Sequence, residues 1–418
     1  MTSQFSDLQS IVTNGLCTGC GLCESVIGND QVEMKLTSAS RMRPHEIQPL
    51  DDNDMEKIRA ICPGIALTGP DKSQVEDAGV MHDVWGPIRT MHRGWSTDED
   101  IRFRSAAGGA MTALGCYLLE TGRVDAIVHV RASVDRPMET DAIVSTTPEE
   151  VCSGSQSRYG PAAPLVNVNR LLDQGLRMAV LAKPCDVAAI RRLEAVDSRV
   201  EQQIPYLITI FCGGVPSVTM VEDIIKYHGV SPEEVSTFRF RGNGWPGFTH
   251  VETHDGREFD LTYERAWLSD DVPWKYDNQF RCKICPDAIG ELADISCPDS
   301  WVMVDGKPIY DEAPGANLFI ARTKRGQELV AAAAEDGAIH LDPFTIDELN
   351  LQQADHLARR TDNPARLQAM AMEGVPEPDF QNFRSDEMTH LAGTERHEAT
   401  IRGTRKRIQG ADHREPSE

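Results

Sequence analysis

Three cysteines set at two-residue intervals, Cys17-Thr18-Gly19-Cys20-Gly21-Leu22-Cys23, constrain this chain more than any other feature. At that spacing a tight loop aims three sulfurs at one centre, and the two glycines let backbone N–H groups come close to them. Cys62-Pro63-Gly64 offers a remote fourth thiolate. Three close ligands, one distant ligand and a proline after the last match a single 4Fe–4S cluster, because no second C-x-x-C-x-x-C run follows nearby. Structural zinc and disulfides are the competing readings.

The 418 residues include 11 cysteines, an odd number that cannot pair completely. Residues 1–15 lack a basic start and an apolar run, so no secretory signal is expected and the protein is read as cytoplasmic. There thiols stay reduced, and a dense set serves as metal or redox ligands. No apolar run approaches the roughly 18–20 residues of a membrane span. The 42 Lys and Arg against 65 Asp and Glu leave a net charge of −23, which argues against a nucleic-acid partner.

Organisation follows from pattern. Residues 1–85 form a cysteine-bearing block with a strand over 32–36 and a helix over 55–61, too small for much core without a cluster. Residues 86–360 alternate strand and helix: helices over 109–120, 165–176 and 187–193, and strands over 124–130, 178–182, 204–211 and 318–321. A further helix is capped by Ser217 and ended by Gly229, and another covers 327–334. Segments 249–253 and 258–262, joined through Asp255-Gly256, predict a hairpin. The expected fold is mixed α+β or α/β. Residues 361–418 are polar and aperiodic and are expected to form a flexible tail.

A second cysteine set is more dispersed. Cys282-Lys283-Ile284-Cys285 is a C-x-x-C pair, while Cys185 and Cys212 stand where strands should end, the face on which ligands gather in an α/β sheet. Spacing alone leaves two arrangements open: a second 4Fe–4S cluster on all four, or C-x-x-C zinc with Cys185 and Cys212 as core residues. Cys297 is a substitute ligand or redox-active extra, Cys116 reads as core, and Cys152 has no supporting context. Gly242-Asn243-Gly244-Trp245-Pro246-Gly247 matches G-x-G-x-x-G but opens no helix, so it is no dinucleotide fingerprint. His250 and His254 lie on a strand, not on a metal-binding helix face. Gly108-Gly109 before a helix could admit a phosphate, though a plain turn and helix start is the better reading, and the loop holding Ser157, Arg158 and Tyr159 could meet a nucleotide but is a weak signal alone.

Taken in order, Ser105-to-Leu114 (SAAGGAMTAL), Ser157-Arg158-Tyr159, Lys183-Pro184-Cys185-Asp186, Ile210-Phe211-Cys212 and Cys282-to-Ser296 (CKICPDAIGELADIS) resemble the beta subunit of coenzyme F420 hydrogenases and dehydrogenases over about residues 86–345. The N-terminal block looks like the ferredoxin-type extension many members carry. The resemblance implies an FAD-binding core with a 4Fe–4S cluster on Cys185, Cys212, Cys282 and Cys285. It also places the flavin against Gly108, Gly109, Ser157, Arg158, Tyr159 and Lys183. With Cys17, Cys20, Cys23 and Cys62, that makes two 4Fe–4S clusters, a ferredoxin-like module and a mixed α/β core.

The implied activity is an iron–sulfur flavoprotein oxidoreductase, with F420 as a possible substrate. Its partner would be a ferredoxin or a hydrogenase or dehydrogenase subunit. The alternatives are a ferredoxin-dependent reductase resembling the chlorophyll-pathway vinyl and hydroxymethyl reductases, or a non-catalytic electron-transfer subunit. One departure from the family stands at Cys297-Pro298-Asp299, where a glycine is usual.

Overall fold

The computed structural model describes residues 5–71, 75 and 79–416; the stretches 1–4, 72–74, 76–78 and 417–418, which fall within the expected first block and tail, lie outside it. Its centre is an eight-stranded mixed sheet of β1 (Thr90–Ser96), β2 (Ala126–Ala132), β3 (Thr140–Ser145), β4 (Met178–Leu181), β5 (Tyr206–Thr209), β6 (Ile295–Ser296), β7 (Asn317–Ala321) and β8 (Ile339–Pro343). The spatial order is β8-β1-β7-β6-β5-β4-β2-β3. The four central strands β2, β4, β5 and β6 run parallel, and antiparallel strands close both flanks.

Every residue of β4, β5 and β7 is buried, which suits continuous apolar runs covered on both faces. Alternate side chains feed two cores. Ala126, Val128, Met178, Val180 and Leu207 pack on helix α2 (Pro184–Glu194) through Val187 and Ile190. Ile127, Ala179, Ile208 and Phe319 pack on helix α1 (Ala110–Glu120) through Ala113, Leu114 and Tyr117. The expected helix over 165–176 is shorter, Val168–Asp173. Ser217 does not cap its helix: Thr219–Tyr227 starts after Val218 with no side-chain bond, and the Ser217 hydroxyl is buried without a partner. The predicted hairpin forms from Thr249–Thr253 and Glu258–Leu261, with Gly256 at φ +83° in the turn.

The C-terminal segment overturns its expectation. Residues 361–416 are no flexible tail; they supply most of α4 (Ala354–Glu373) and then α5 (Ser385–Ala392) and α6 (Thr394–Gln409), after the short helix α3 (Phe280–Lys283) that opens the C-x-x-C segment. Met370 and Ile408 share one core with Leu8, Ile11, Leu16 and Ile58 of the first block and with Phe280 and Ile284. Strand Asp379–Gln381 also pairs parallel with Ala66–Thr68. Apolar residues too sparse to announce a core locally are thus used one at a time across a long sequence gap, and the first block completes its core with them.

Candidate redox site

The two thiol sets each surround a cavity. Cys17, Cys20, Cys23 and Cys62 line one, with Leu8, Ile58, Ile61 and Met34. Gly19 at φ +74° and Gly21 at φ +84° turn the loop back on itself. Cys62 ends the helix Asp52–Ile61, and Gly64 packs so closely that an added Cβ would stand 3.3 Å from its Sγ. Backbone N–H groups of Gly64 and Ile65 reach Cys62, and that of Gly19 reaches Cys17.

Cys185, Cys212, Cys282 and Cys285 line the second cavity with Thr18, Gly214, Arg281, Asp287 and Arg359. Cys185 lies in the first turn of α2 directly after β4, and Cys212 follows β5, so two thiols come from the carboxyl ends of parallel strands. Cys282 and Cys285 come from α3 and the turn after it. Each expected group of four cysteines thus lines one cavity.

Burial pushes the Cys17 thiol up to about 11, partly opposed by Arg43, and those of Cys20 and Cys212 to about 12. Such thiols hold their protons near neutral pH and become thiolates when a metal takes the proton's place. Among the described residues no three His, Cys, Asp or Glu side chains converge tightly enough for one metal ion. A tetrahedral zinc with bonds of about 2.3 Å would draw its thiolates to within about 4 Å of one another. Four thiols around one cavity are a donor set that either zinc or an iron–sulfur cluster could use.

Helix α4, absent from the expected site, braces the second set. Arg359 donates through Nη1 to the Cys212 carbonyl at 2.7 Å and through Nη2 to the Cys282 carbonyl at 3.1 Å. Asn363 donates to the Ile284 carbonyl at 2.8 Å, and Arg366 donates to the Lys283 carbonyl. Residues 359, 363 and 366 fall at i, i+4 and i+7, one face of a helix. That spacing was the available signal, hidden inside a stretch that looked merely polar.

Beside the second cavity opens a cleft of about 680 Å³. Its walls include Ser157, Tyr159, Lys183, Cys212, His356 and an aromatic strip of Tyr263, Trp267, Tyr276 and Trp301. Trp267 lies in a five-residue π-helical turn, Glu264–Leu268, a geometry frequent at functional sites. A smaller adjoining pocket shares Ser157, Arg158, Lys183 and Ile210 with the cleft and adds Met111, Thr112 and His129.

The residues expected at a flavin divide. Ser157, Tyr159 and Lys183 face the cleft, with Lys183 Nζ held 2.7 Å from buried Asp186. Arg158 also lines it, but its guanidinium is spent on the carbonyls of Pro137, Glu139 and Phe238 at 2.8–3.0 Å, so it braces the loop. Gly108 and Gly109 line neither the cleft nor the adjoining pocket. Gly108 is wedged against the Asn317 backbone, 2.8 Å from an added Cβ, and Asn317 Oδ1 takes the Ala110 N–H at 3.1 Å. Cys297 is isolated in the core; Cys116 and Cys152 meet at 3.8 Å between sulfurs, away from both sets.

Residues 91–170 match the family model for the coenzyme F420 hydrogenase/dehydrogenase beta subunit N-terminus, and residues 175–347 match the model for its C terminus. The chain belongs to the coenzyme F420 hydrogenase/dehydrogenase beta-subunit family. Among curated relatives of this beta-subunit family, a coenzyme F420-dependent sulfite reductase of Methanocaldococcus jannaschii is 22% identical over 85% of this chain and 52% of its own length. An F420-dependent formate dehydrogenase 1 subunit beta of Methanococcus maripaludis is 27% identical over 58% of this chain and 59% of its own. The chain thus spans little more than half of these two relatives. It spans 99% of a coenzyme F420 hydrogenase subunit beta of Methanococcus voltae, at 26% identity over 70% of this chain. The fold resembles a chain of the F420-reducing [NiFe] hydrogenase complex of Methanosarcina barkeri, with a TM-score of 0.56, 23% identity and coverage of 72% of this chain and 98% of that one. These relatives are oxidoreductases or their subunits, which supports a redox, electron-transfer role; no helix among the described residues is long and apolar enough to cross a membrane.

Proposed function

We propose that this beta-subunit family member is an iron–sulfur flavoprotein that relays electrons between a hydride carrier or organic substrate at the cleft and a protein partner. The relay would use FAD and two 4Fe–4S clusters, with reduced coenzyme F420 as the hydride carrier the relatives' names suggest. One observation carries the reading. Cys212 lines both the cleft and the second thiol cavity, and Thr18 lines both the second cavity and the first. Three stations therefore share walls one residue thick.

A flavin supplies the exchange between paired and single electrons that iron–sulfur clusters require. The cleft and its adjoining pocket share one wall, which fits an extended dinucleotide whose ring end lies near Cys212. Tyr263, Trp267 and Trp301 would cover that ring and exclude water. Lys183, held by Asp186, keeps a fixed charge at the junction. Each set of four thiols, with N–H groups aimed at sulfur, would hold one cluster, and the N–H bonds and the surrounding protein would set its potential.

Anaerobically purified protein is expected to carry about eight irons, matching sulfide and one FAD per chain. Cys62→Ser and Cys185→Ser are each expected to lose one cluster's signal and keep the other's. Four irons or none in the parent, or loss of both signals from either variant with the fold intact, refutes the two-cluster relay. Recovery of the visible absorbance of oxidised F420, when reduced F420 is mixed with the protein and an electron acceptor, tests the hydride carrier.

A further inference from the structure

The C-terminal helices carry a charge pattern that the relay does not use. Arg402, Arg405, Lys406, Arg407 and Arg414 stand within thirteen residues against one acid, Asp412, in a chain of net charge −23. Arg405 is committed to Glu373 at 2.6 Å, and Arg402 lies 3.7 Å from Glu398. Lys406, Arg407 and Arg414 are exposed and, among the described residues, have no carboxylate within ion-pair reach.

This segment lies across the seam between the two thiol loops. Gly15, two residues before Cys17, packs against the His413 carbonyl so tightly that a Cβ would stand 2.1 Å from its oxygen. The Glu415 N–H donates to the Thr13 carbonyl at 3.2 Å, and Glu415 pairs with buried Arg43 at 2.5 Å. The His413 ring meets the edge of Phe280, two residues before Cys282, at 5.7 Å between centroids. On the other side, Arg366, paired with Asp362, donates to the Lys283 carbonyl inside the C-x-x-C turn.

A surface of net charge −23 repels an acidic protein at most approaches, and a local cationic patch supplies one attractive approach. Here that patch covers the place where the loops of both thiol sets begin. We infer that the surface formed by the Arg402–Arg414 segment docks an acidic protein electron carrier, which exchanges single electrons with the nearer cluster. The inference rests on the relay reading for the electron it moves, but docking itself is measurable without electron transfer.

The test uses the full-length holoprotein and a triple variant, Arg402→Glu, Lys406→Glu and Arg407→Glu, all at exposed positions outside both thiol cavities. Binding of an oxidised acidic ferredoxin is measured at low and high salt, and electron transfer is measured separately with ferredoxin and with methyl viologen, a small cation. Expected are parent binding that weakens steeply with salt, at least about tenfold weaker binding and slower ferredoxin reaction in the variant at low salt, and convergence of the two at high salt. The methyl viologen rate stays unchanged. Equal ferredoxin binding by parent and variant, or parent binding insensitive to salt, overturns the docking surface. Duplex DNA binding that matches ferredoxin's also overturns it, by reducing the patch to a general polyanion trap. Absent clusters with intact, salt-dependent docking would defeat the relay and leave the docking surface standing.

Discussion

Arg359 gives the most direct handle on how the second thiol set is held. Its guanidinium bridges two carbonyls, those of Cys212 and Cys282, from a helix more than seventy residues away in sequence from either. Hydrogen bonds from a charged donor contribute roughly 1.5–3 kcal/mol each, and the lower figure suits a side chain that is only half-buried. Arg359→Ala therefore removes about 3 kcal/mol from the closed state of these two turns, or roughly a 100-fold increase in their opening equilibrium. It also removes a positive charge from the cavity wall, which lowers the potential of any cluster held there, because the more negative reduced state loses its counter-charge. Anaerobic iron release to a chelator reads the first effect, and a spectroscopic redox titration reads the second. Expected is a fast phase of about half the iron in the variant, with a downward shift in one potential only. Arg359→Lys restores the charge but cannot span both carbonyls, so its potential recovers while its fast phase persists. Unchanged release kinetics in Arg359→Ala, in a protein whose fold is intact, would refute the bracing role.

Two further outcomes concern stability. Buried Glu291 lies 2.6 Å from Arg360 Nη2 and also pairs with Arg384, so Glu291→Ala leaves two buried guanidinium groups without their carboxylate; a loss of about 3–5 kcal/mol in urea unfolding is expected, and a loss under about 1 kcal/mol would contradict it. Burial, helped by Arg131, pulls His129 down to about 4, so the native state refuses a proton that the unfolded chain accepts below about 6.5. That contribution to stability is complete above the unfolded value and is lost as pH falls toward 4, by at most about 2 kcal/mol between pH 7 and pH 5. His129→Gln should lose correspondingly less stability over that interval, and an identical pH dependence in both proteins would exclude the assignment.

What could be read from residues alone was local or carried by a motif. The spacing of Cys17, Cys20 and Cys23 and the proline after Cys62 announce one ligand set because loop geometry over a few residues is set by sequence. The apolar runs at 178–182 and 318–321 announce strands, and Asp255-Gly256 announces a hairpin, for the same reason; both strands prove buried throughout. Motif order within the beta-subunit family, rather than spacing, singled out Cys185 and Cys212 as partners of the C-x-x-C pair.

Other features depend on what lies opposite in space. Arg158 belongs to a loop that could meet a nucleotide, and only the fold shows its donors on the carbonyls of Pro137, Glu139 and Phe238. At the Gly108-Gly109 turn the first helical N–H is given to Asn317, a partner 207 residues away. Residues 361–416 looked flexible because Met370 and Ile408 are too few to show a core of their own, and they bury their surface only against Leu8, Ile11 and Phe280. Which thiols group together was therefore legible in sequence, whereas their bracing by Arg359 and the seam beneath the basic segment were decided by tertiary structure. Hydrogen bonds and burial across hundreds of residues leave no periodic trace in the chain.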